Sequence, residues 1–481
     1  MPGAGLKPRR LLRAKLLITP PTPCAPGNES PVMSKPSVTL LLAEQACALT
    51  YELIPENARR IISQCVLDYL GVTLAGIQEP AVQLLAQELE EEGGAPQASI
   101  IGTARQMSLS QAALLNGMAS HAIDYDDVNF ALMGHPSVPI LPALLAQAEA
   151  LHSSGAALMT AFLAGYEAEC RVGLLVAPGH YAAGFHATAT VGTIGAAVAC
   201  AKLLGVDTPT MAQAIGIAAT QAAGLKSMFG SACKPFHAGM AARSGLLAAR
   251  LALRGFDSRS DALECDQGFA ATHSPNFAPE AALATPPGGL HLFANLFKYH
   301  ASCYETHATI ECGRALRQQY GLRTEDIESV DVVVNPYCDR ICNIPQPASG
   351  LEAKFSLRQT AAMALSGIET ADPAAFNDAL AHDAGLLELG ARIHIGFDAA
   401  VGQGCARMQV ARRSNGEGCA TEYNAATPWS DLDAQQSRLE EKFMQLASPV
   451  LGAAQARELS DGVAALSALE HIEPLIVLAT I

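Results

Sequence analysis

Apolar residues recur at helical spacing through most of the chain between residues 38 and 293. In residues 58–73 they fall at every third or fourth position, which predicts a helix with a buried face. The same pattern predicts further helices at 108–123, 139–151, 155–177, 186–204, 209–224 and 237–254. Several of these segments carry Ala and Gly three and four residues apart, a spacing that lets helix axes approach closely. Gly205 and Gly255 are expected just past the ends of two of them.

The pattern changes after about residue 295, where short alternating segments predict β-strands. These segments are 326–334, 391–397, 406–412 and 419–424. Asn415-Gly416 between the last two predicts a hairpin turn. Predicted helices near 304–319 and 356–367 are interleaved with the strands, so this region is expected to be an α+β domain. Helices return at 429–446 and 453–470, and the pattern leaves open whether they rejoin the first domain.

Composition agrees with a folded, mainly helical chain of two to four domains. Of the 481 residues, 50% are hydrophobic, 16% are charged and only 5% are aromatic. Such a chain has ample apolar surface for a core, and small aliphatic residues favour closely packed helices. No run of 18 apolar residues suggests a membrane span. Residues 1–35 differ, because they begin basic and acid-free and continue with several prolines. Two interpretations fit them: a targeting peptide, or an unstructured extension that precedes a start at Met33.

Charge and motifs exclude several classes of function. The formal net charge is −15, so the surface repels nucleic acid and anionic membranes. An anionic substrate would therefore need a local cationic pocket. The 13 cysteines include no CxxC pair, which indicates reduced thiols in a cytoplasmic protein rather than a zinc site. The chain has no GxGxxG, GxxxxGK[ST], GxSxG or HExxH motif, so dinucleotide, nucleotide, serine-hydrolase and zincin interpretations have no support.

The first candidate site is the segment 121–127, HAIDYDD, which ends a predicted helix. Three carboxylates at the negative end of a helix dipole are unfavourable, so they suggest a use. Asp124 is a candidate general base, the cluster is a candidate site for a divalent metal, and solvated acids are the third interpretation. His135 follows in a Gly/Pro turn, which suits an acid–base group as well as an ordinary surface histidine.

Two further candidates lie at predicted helix starts, where exposed amide groups and the helix dipole attract anions. His186 opens one of these helices, and Lys234 and His237 lie at the start of another. A carboxylate ligand fits both places. A histidine that satisfies a backbone group, a Schiff-base lysine and a surface lysine are the competing interpretations.

The segment 298–307 is dense in titratable groups and lies where the two predicted domains meet. Substrate clefts form at such junctions. Cys303 and His307 are four residues apart, a spacing that fits a nucleophilic pair on one helix face. A structural hinge is the alternative, and Lys298 adds a cation to the segment.

Together these segments resemble the MmgE/PrpD family over roughly residues 38–480. The resemblance is carried by HAIDYDD at 121–127, GHPS at 134–137, GFHATATVGTIGAA at 184–197, KPFHAG at 234–239, KYHASCYETH at 298–307 and EAKFS at 352–356. It implies a large all-helical domain, residues 36–294 plus 425–481, with an inserted α+β lid domain at 295–424. It also implies a homodimer without organic cofactor or iron–sulfur cluster. No metal ligand is expected in the site. The family's activities include 2-methylcitrate dehydratase, cis-aconitate decarboxylase and iminodisuccinate epimerase.

The resemblance also assigns site residues. Asp124, His135, His186 and Lys234 match polar active-site positions of the decarboxylase branch. The predicted catalytic set is Asp124, His135, His186, Lys234, Cys303 and His307, and the predicted substrate-binding set is Lys234, His186, His237 and Lys298. The chain departs from the branch at Val128, where the branch has Thr, and at Cys303, where it has His.

These departures remove hydrogen-bonding capacity that the decarboxylase uses, so they argue against itaconate formation and leave dehydratase or epimerase chemistry open. A 2-methylcitrate dehydratase-like hydro-lyase is the expected activity. An epimerase or a cis-aconitate decarboxylase-like carboxy-lyase is the alternative, and a non-catalytic carboxylate-binding homologue is the alternative of another class. The expected chemistry is proton abstraction next to a carboxylate, with Asp124 or His135 moving the proton and Lys234 and His186 stabilising charge. A cytoplasmic location is expected, with organellar targeting by the basic N-terminus as the alternative.

Overall fold

Helices dominate the computed structural model, which describes residues 37–413 and 418–481. The prediction of a mainly α protein is confirmed. The extension expected at 1–35 and the turn at Asn415-Gly416 lie outside the described residues. Every helix predicted before residue 293 is present and begins within four residues of its expected start.

The chain up to residue 283 is almost entirely helical. Its elements are α1 (Val38–Ala48), α2 (Glu56–Gly76), α3 (Pro80–Glu92), β1 (Ala98–Ser99), β2 (Gln106–Met107), α4 (Leu109–His121), α5 (Ser137–Ala150), α6 (Gly155–Val176), α7 (Gly179–Ala182), α8 (Ala187–Leu203), α9 (Thr208–Ala219), α10 (Cys233–Leu253), α11 (Phe269–His273) and α12 (Pro279–Leu283). No single helix in the described ranges is both long and apolar enough to cross a membrane. The bent pair α2 and α3, at 84°, meets that criterion together, by length and composition only.

Helix α8 lies at the centre and packs against α5, α6 and α10. Its small residues permit this close approach, as their spacing predicts. A Cβ atom on Gly165 of α6 would lie 2.5 Å from the carbonyl oxygen of Gly195, and one on Gly195 would lie 2.6 Å from Glu169. Both distances are shorter than any van der Waals contact, so glycine is required at these helix crossings. The packing fixes the start of α8, where His186 lies.

The region after residue 295 combines a sheet with helices. Its elements are α13 (His307–Tyr320), β3 (Ile327–Val334), α14 (Gly350–Ala353), α15 (Leu357–Ser366), α16 (Asp378–Ala381), α17 (Ala384–Gly390), β4 (Ile393–Phe397), β5 (Cys405–Arg412) and β6 (Gly418–Asn424). The four strands run in the order β4-β3-β5-β6, with β3 and β4 parallel and the other neighbours antiparallel. Alternate residues Val330, Val332 and Val334 are buried. The sheet packs against α13 and α15, and all four predicted strands are confirmed.

The last helices return to the first part of the fold. They are α18 (Leu432–Leu451), α19 (Ala453–Ala464) and α20 (Glu473–Leu478). Helix α18 packs along α2, where the ring of Phe443 fits against Gly71. The core beneath the sheet also includes Val72 and Tyr125 from the helical part. The division into a helical domain and an inserted lid at 295–424 stays a prediction.

Candidate active site

A cavity with an empty volume of about 570 Å³ lies where the loop after α4, the starts of α8 and α10, and the segment 298–305 meet. Six residues that the sequence singles out line it together: Asp124, His135, His186, Lys234, Lys298 and Cys303. They come from four separate segments, so the fold gathers most of the predicted site into one place.

Asp124 and two lysines form the charged centre of this cavity. Oδ1 of Asp124 accepts hydrogen bonds from Nζ of Lys234 at 2.5 Å and from Nζ of Lys298 at 3.0 Å. Lys298 also donates to the backbone carbonyl of Asp124 at 2.8 Å. Burial raises the pKa of the Asp124 carboxyl, but the two ammonium groups outweigh burial and hold that pKa well below its usual range. Asp124 is therefore ionised at neutral pH.

The backbone around Asp124 is held in an unusual conformation. Asp124 has a φ of 55°, in the left-handed region that Asp and Asn tolerate better than most residues. Lys354, from the EAKFS segment, donates from Nζ to the carbonyl of the preceding Ile123 at 2.6 Å. Burial lowers the pKa of Lys354 to about 8, although the charge of Asp124 opposes this shift. A third lysine thus supports the loop from behind.

Asp126 orients two histidines beside the charged centre. Nδ1 of His121 lies 2.9 Å from Oδ1 of Asp126, and Nδ1 of His135 lies 3.0 Å from Oδ2. Burial raises the pKa of Asp126, but both histidines oppose burial and the net pKa is well below its usual value. Burial lowers the pKa of His121 to about 4. Because Nδ1 of each ring faces Asp126, Nε2 is the nitrogen left for other partners.

His135 combines this orientation with access to the cavity. Its Nδ1 also donates to the carbonyl of Asp127 at 2.9 Å, which fixes the ring. The side chain is 13% exposed, whereas the side chain of His121 is fully buried. Of the two rings, only His135 lines the cavity. It is therefore the histidine best placed to exchange a proton with a bound molecule.

His186 lies at the start of α8 and lines the cavity next to Phe229. Its Nδ1 is 3.2 Å from Nδ1 of His237, and its buried Nε2 has no hydrogen-bond partner among the described residues. Burial lowers the pKa of His186 well below its usual value, with nearby positive charges adding to the effect. His237 contacts His186 from outside the cavity lining. Its predicted role as a direct substrate ligand therefore receives no support from its position.

The predicted pair of Cys303 and His307 is not brought together at one site. Cys303 lines the first cavity, whereas His307 lines a second one of about 460 Å³. Tyr304 lines both cavities, and its ring stacks on His307 at 4.8 Å between centroids. The prediction that the two side chains share a helix face is not met, because α13 begins only at His307. Cys303 precedes this helix and lies on none of its faces.

Several contributors carry no motif. Tyr181 and Tyr337 line the cavity from distant segments, and no sequence signal marks them. Lys442 of α18 lies outside the cavity and supports it: its Nζ donates to Oδ1 of Asp68 at 2.5 Å, to the carbonyl of Tyr125 at 2.7 Å and to the carbonyl of Lys298 at 2.9 Å. Three bonds satisfy all three protons of the ammonium group. Lys442 thereby joins the Asp124 loop to the Lys298 segment.

The cluster also has a donor set of the kind that binds metals. Ligand atoms of His121, Asp124, Asp126 and His135 all lie within 4.8 Å of one another. The charge of Asp124 is, however, already balanced by Lys234 and Lys298, and these ammonium groups would repel a cation. The donor set therefore fits proton transfer and anion binding better than it fits a metal ion.

Two protein-family models match most of the chain. The MmgE/PrpD N-terminal domain matches residues 41–282, and the MmgE/PrpD C-terminal domain matches residues 300–467. The chain therefore belongs to the MmgE/PrpD family.

Similar curated proteins carry a more particular name. The chain is 30% identical over 322 residues to cis-aconitate decarboxylase of Homo sapiens. This match covers 63% of this chain and 65% of the relative. It is 28% identical over 301 residues to the cis-aconitate decarboxylase of Aspergillus terreus (strain NIH 2624 / FGSC A1156). This match covers 60% of this chain and 61% of the relative. The cis-aconitate decarboxylase of Mus musculus is 27% identical over 350 residues, and this match covers 68% of this chain and 70% of the relative. The matched part thus spans slightly less than two thirds of the human and fungal relatives.

Proposed function

We propose that the protein is a lyase that needs no cofactor and removes CO₂ from a small unsaturated polycarboxylate. The observation that carries this proposal is the pair of lysines on Asp124, set beside a histidine with access to the cavity. The names of the similar proteins favour this carboxy-lyase over the 2-methylcitrate dehydratase expected from the sequence.

Lys234 and Lys298 bind the substrate by a carboxylate. Both are buried, at 6% and 0% exposure, so their attraction for an anion is weakly screened by water. Asp124 holds both ammonium groups in place by hydrogen bonds. Its low pKa makes it a poor general base, so its role in this proposal is that of a counter-ion.

His135 moves the proton. When CO₂ leaves from a carbon next to a double bond, the electron pair shifts across that double bond and its far carbon takes a proton. The imidazolium form of His135 supplies that proton from Nε2, while Asp126 stabilises the positive charge at Nδ1. A positioned acid of this kind contributes about 10²–10⁴ in rate. His186, held neutral by burial, offers a hydrogen bond from its Nε2, which has no partner among the described residues.

Proton NMR in deuterium oxide tests the proposal with cis-aconitate, 2-methylcitrate and iminodisuccinate in separate samples. We expect cis-aconitate to lose CO₂ and to give a product with a terminal methylene group. The product should carry one deuterium, at the far carbon of the former double bond. Loss of water from 2-methylcitrate alone would instead establish a hydro-lyase. Exchange of deuterium into iminodisuccinate without net conversion would establish an epimerase.

Two variants separate the roles. His135→Gln is expected to lower kcat at least 100-fold with little change in KM, because it removes the proton donor. The matched control is His237→Gln, which alters a histidine outside the cavity lining and should have a much smaller effect. No turnover of any substrate, with binding retained in calorimetry, would favour the non-catalytic homologue. The homodimer and the cytoplasmic location stay predictions from the resemblance.

A further inference from the structure

We infer that the preferred substrate is an unsaturated dicarboxylate with an alkyl substituent, rather than a tricarboxylate such as cis-aconitate. The inference rests on the proposed function and names the class of acid that the same site takes. Three observations on the cavity carry it: the number of cations, the apolar lining and the position of one buried acid.

The cations suffice for fewer than three carboxylates. Lys234 and Lys298 both bind Oδ1 of Asp124, so these three groups together carry one positive charge. Lys354 adds another from behind the loop, where its Nζ is already bonded to a carbonyl group. Among the described residues, no arginine lines the cavity. The imidazolium of His135 adds no net charge, because Asp126 pairs with it. A tricarboxylate would bring three negative charges to a site whose lysines and Asp124 balance two.

Much of the remaining lining is apolar. It includes Val128, Phe130, Met133, Phe229, Ile341 and Phe355. Val128 is buried and packs in a small cluster with Leu296 and Tyr304, so it offers a dry hydrocarbon surface. A carboxylate placed against this surface loses its hydration and gains no partner. An alkyl group in the same place gains free energy from leaving water.

The polar groups near this surface do not compensate. Glu305 lines the cavity beside Cys303, and it is buried with a pKa raised by that burial. Its Oε2 accepts hydrogen bonds from the Gly404 backbone and from the Cys338 thiol. Glu305 carries no positive charge, so it offers a further carboxylate no ion pair. Tyr181 and Tyr337 supply hydroxyl groups, which donate hydrogen bonds but carry no charge.

The reaction of such a substrate balances. In a 3-alkylpent-2-enedioate, the bond between C4 and the C5 carboxylate breaks and CO₂ leaves. The electron pair forms a double bond between C3 and C4, and the former double bond takes a proton at C2 from His135. The products are CO₂ and a 3-alkylbut-3-enoate, and one proton is taken from solvent to restore the imidazolium. The alkyl group stands where cis-aconitate has its central carboxylate.

Binding of two unreactive acids tests the inference without relying on turnover. 3-Methylpentanedioate and propane-1,2,3-tricarboxylate differ only in a methyl or carboxylate group on the central carbon. We expect calorimetry with the full chain to give a Kd at least tenfold lower for the methyl compound. Equal affinity, or tighter binding of the tricarboxylate, would overturn the inference. Neither acid has a double bond, so this result stands apart from whether the protein is a decarboxylase.

Substitutions in the apolar lining give a second test. Ile341→Lys adds a cation there, and Ile341→Met is the matched control of similar length without charge. We expect the lysine variant to bind the tricarboxylate at least tenfold more tightly, relative to the methyl compound, than the methionine variant does. If Ile341→Lys fails to fold, Met133→Lys against Met133→Gln serves the same purpose. An unchanged ratio in a folded variant would contradict the inference, because the apolar lining would then not contact the ligand.

Turnover separates the inference from the proposed function. If 3-methylpent-2-enedioate loses CO₂ with a higher kcat/KM than cis-aconitate, both stand. If cis-aconitate is the better substrate, the inference is wrong and the proposed function stands. If neither acid reacts while the binding preference holds, the proposed function is wrong and the ligand class is supported.

Discussion

Lys442 provides the sharpest test of how distant parts of the chain hold the site. Its ammonium group is 5% exposed and donates to Asp68 and to the carbonyls of Tyr125 and Lys298. Lys442→Met leaves a buried acid without its partner and two carbonyl groups without a donor. Removal of one member of a buried ion pair typically costs about 3–5 kcal/mol. We expect the free energy of unfolding to fall by about that amount.

Asp68→Asn should be milder, because the ammonium group keeps its two carbonyl acceptors. Burial also raises the pKa of Asp68 and lowers that of Lys442 in spite of their attraction, so the charged pair itself is a modest source of stability. We therefore expect the double variant to lose less than the sum of the two single losses, with a coupling of about 1–3 kcal/mol.

Urea unfolding of the four proteins at pH 7 measures this cycle. Arg457→Met, which removes an exposed cation on the neighbouring helix α19, is the control and should change stability by less than about 0.5 kcal/mol. Well below the unfolding temperature, Lys442→Met should also lower kcat/KM at least tenfold, since a small displacement of catalytic groups is enough. A loss below about 1 kcal/mol, or strict additivity, would refute the role given to Lys442.

Three further predictions concern the core and the site. Gly165→Ala should destabilise by about 1–3 kcal/mol in denaturant unfolding, because its Cβ would meet the Gly195 carbonyl, whereas Gly390→Ala, with open space around it, should not. The folded protein keeps His121 neutral down to its pKa of about 4, whereas the unfolded chain takes up a proton near pH 6.5, so stability should fall as pH drops from 6.5 to 4. His121→Asn should make the fall in the free energy of unfolding less steep, by at most about 1.4 kcal/mol per pH unit. Urea unfolding at several pH values across that range measures it. Asp124→Asn, which suits a positive φ, should retain more kcat than Asp124→Ala if the carboxylate is a counter-ion held by its backbone. Equal loss in both variants would point instead to a direct role in proton transfer.

The helical part of the fold was predictable because its signal is local. Periodic apolar residues and the small-residue stripe of α8 determine which faces are buried, and the crossing of Gly165 with Gly195 follows from that stripe. The strands were predictable for the same reason, since alternation along β3 and β5 matches their buried face.

The site was predictable only where its residues fall in short segments with a recognisable order. Asp124, His135, His186 and Lys234 do so. Tyr337 and Lys442 could not be found, because they matter only through contacts with residues far away in sequence. The interpretation of Cys303 and His307 as one helix face did not match the structure, because spacing alone does not show where a helix begins.

The three bonds of Lys442 also set an order of events during synthesis. Tyr125 and Lys442 are 317 residues apart, so the Asp124 loop leaves the ribosome long before its support exists. At roughly 5–20 residues per second, the delay is about 15–60 s. For the last 144 residues of that interval, a nascent chain holds the two cavity lysines and their aspartate without the cation that joins their backbones. We expect the site to become competent only when α18 has docked, so the proposed activity should report the docking of α18 rather than folding of the larger, earlier part of the chain.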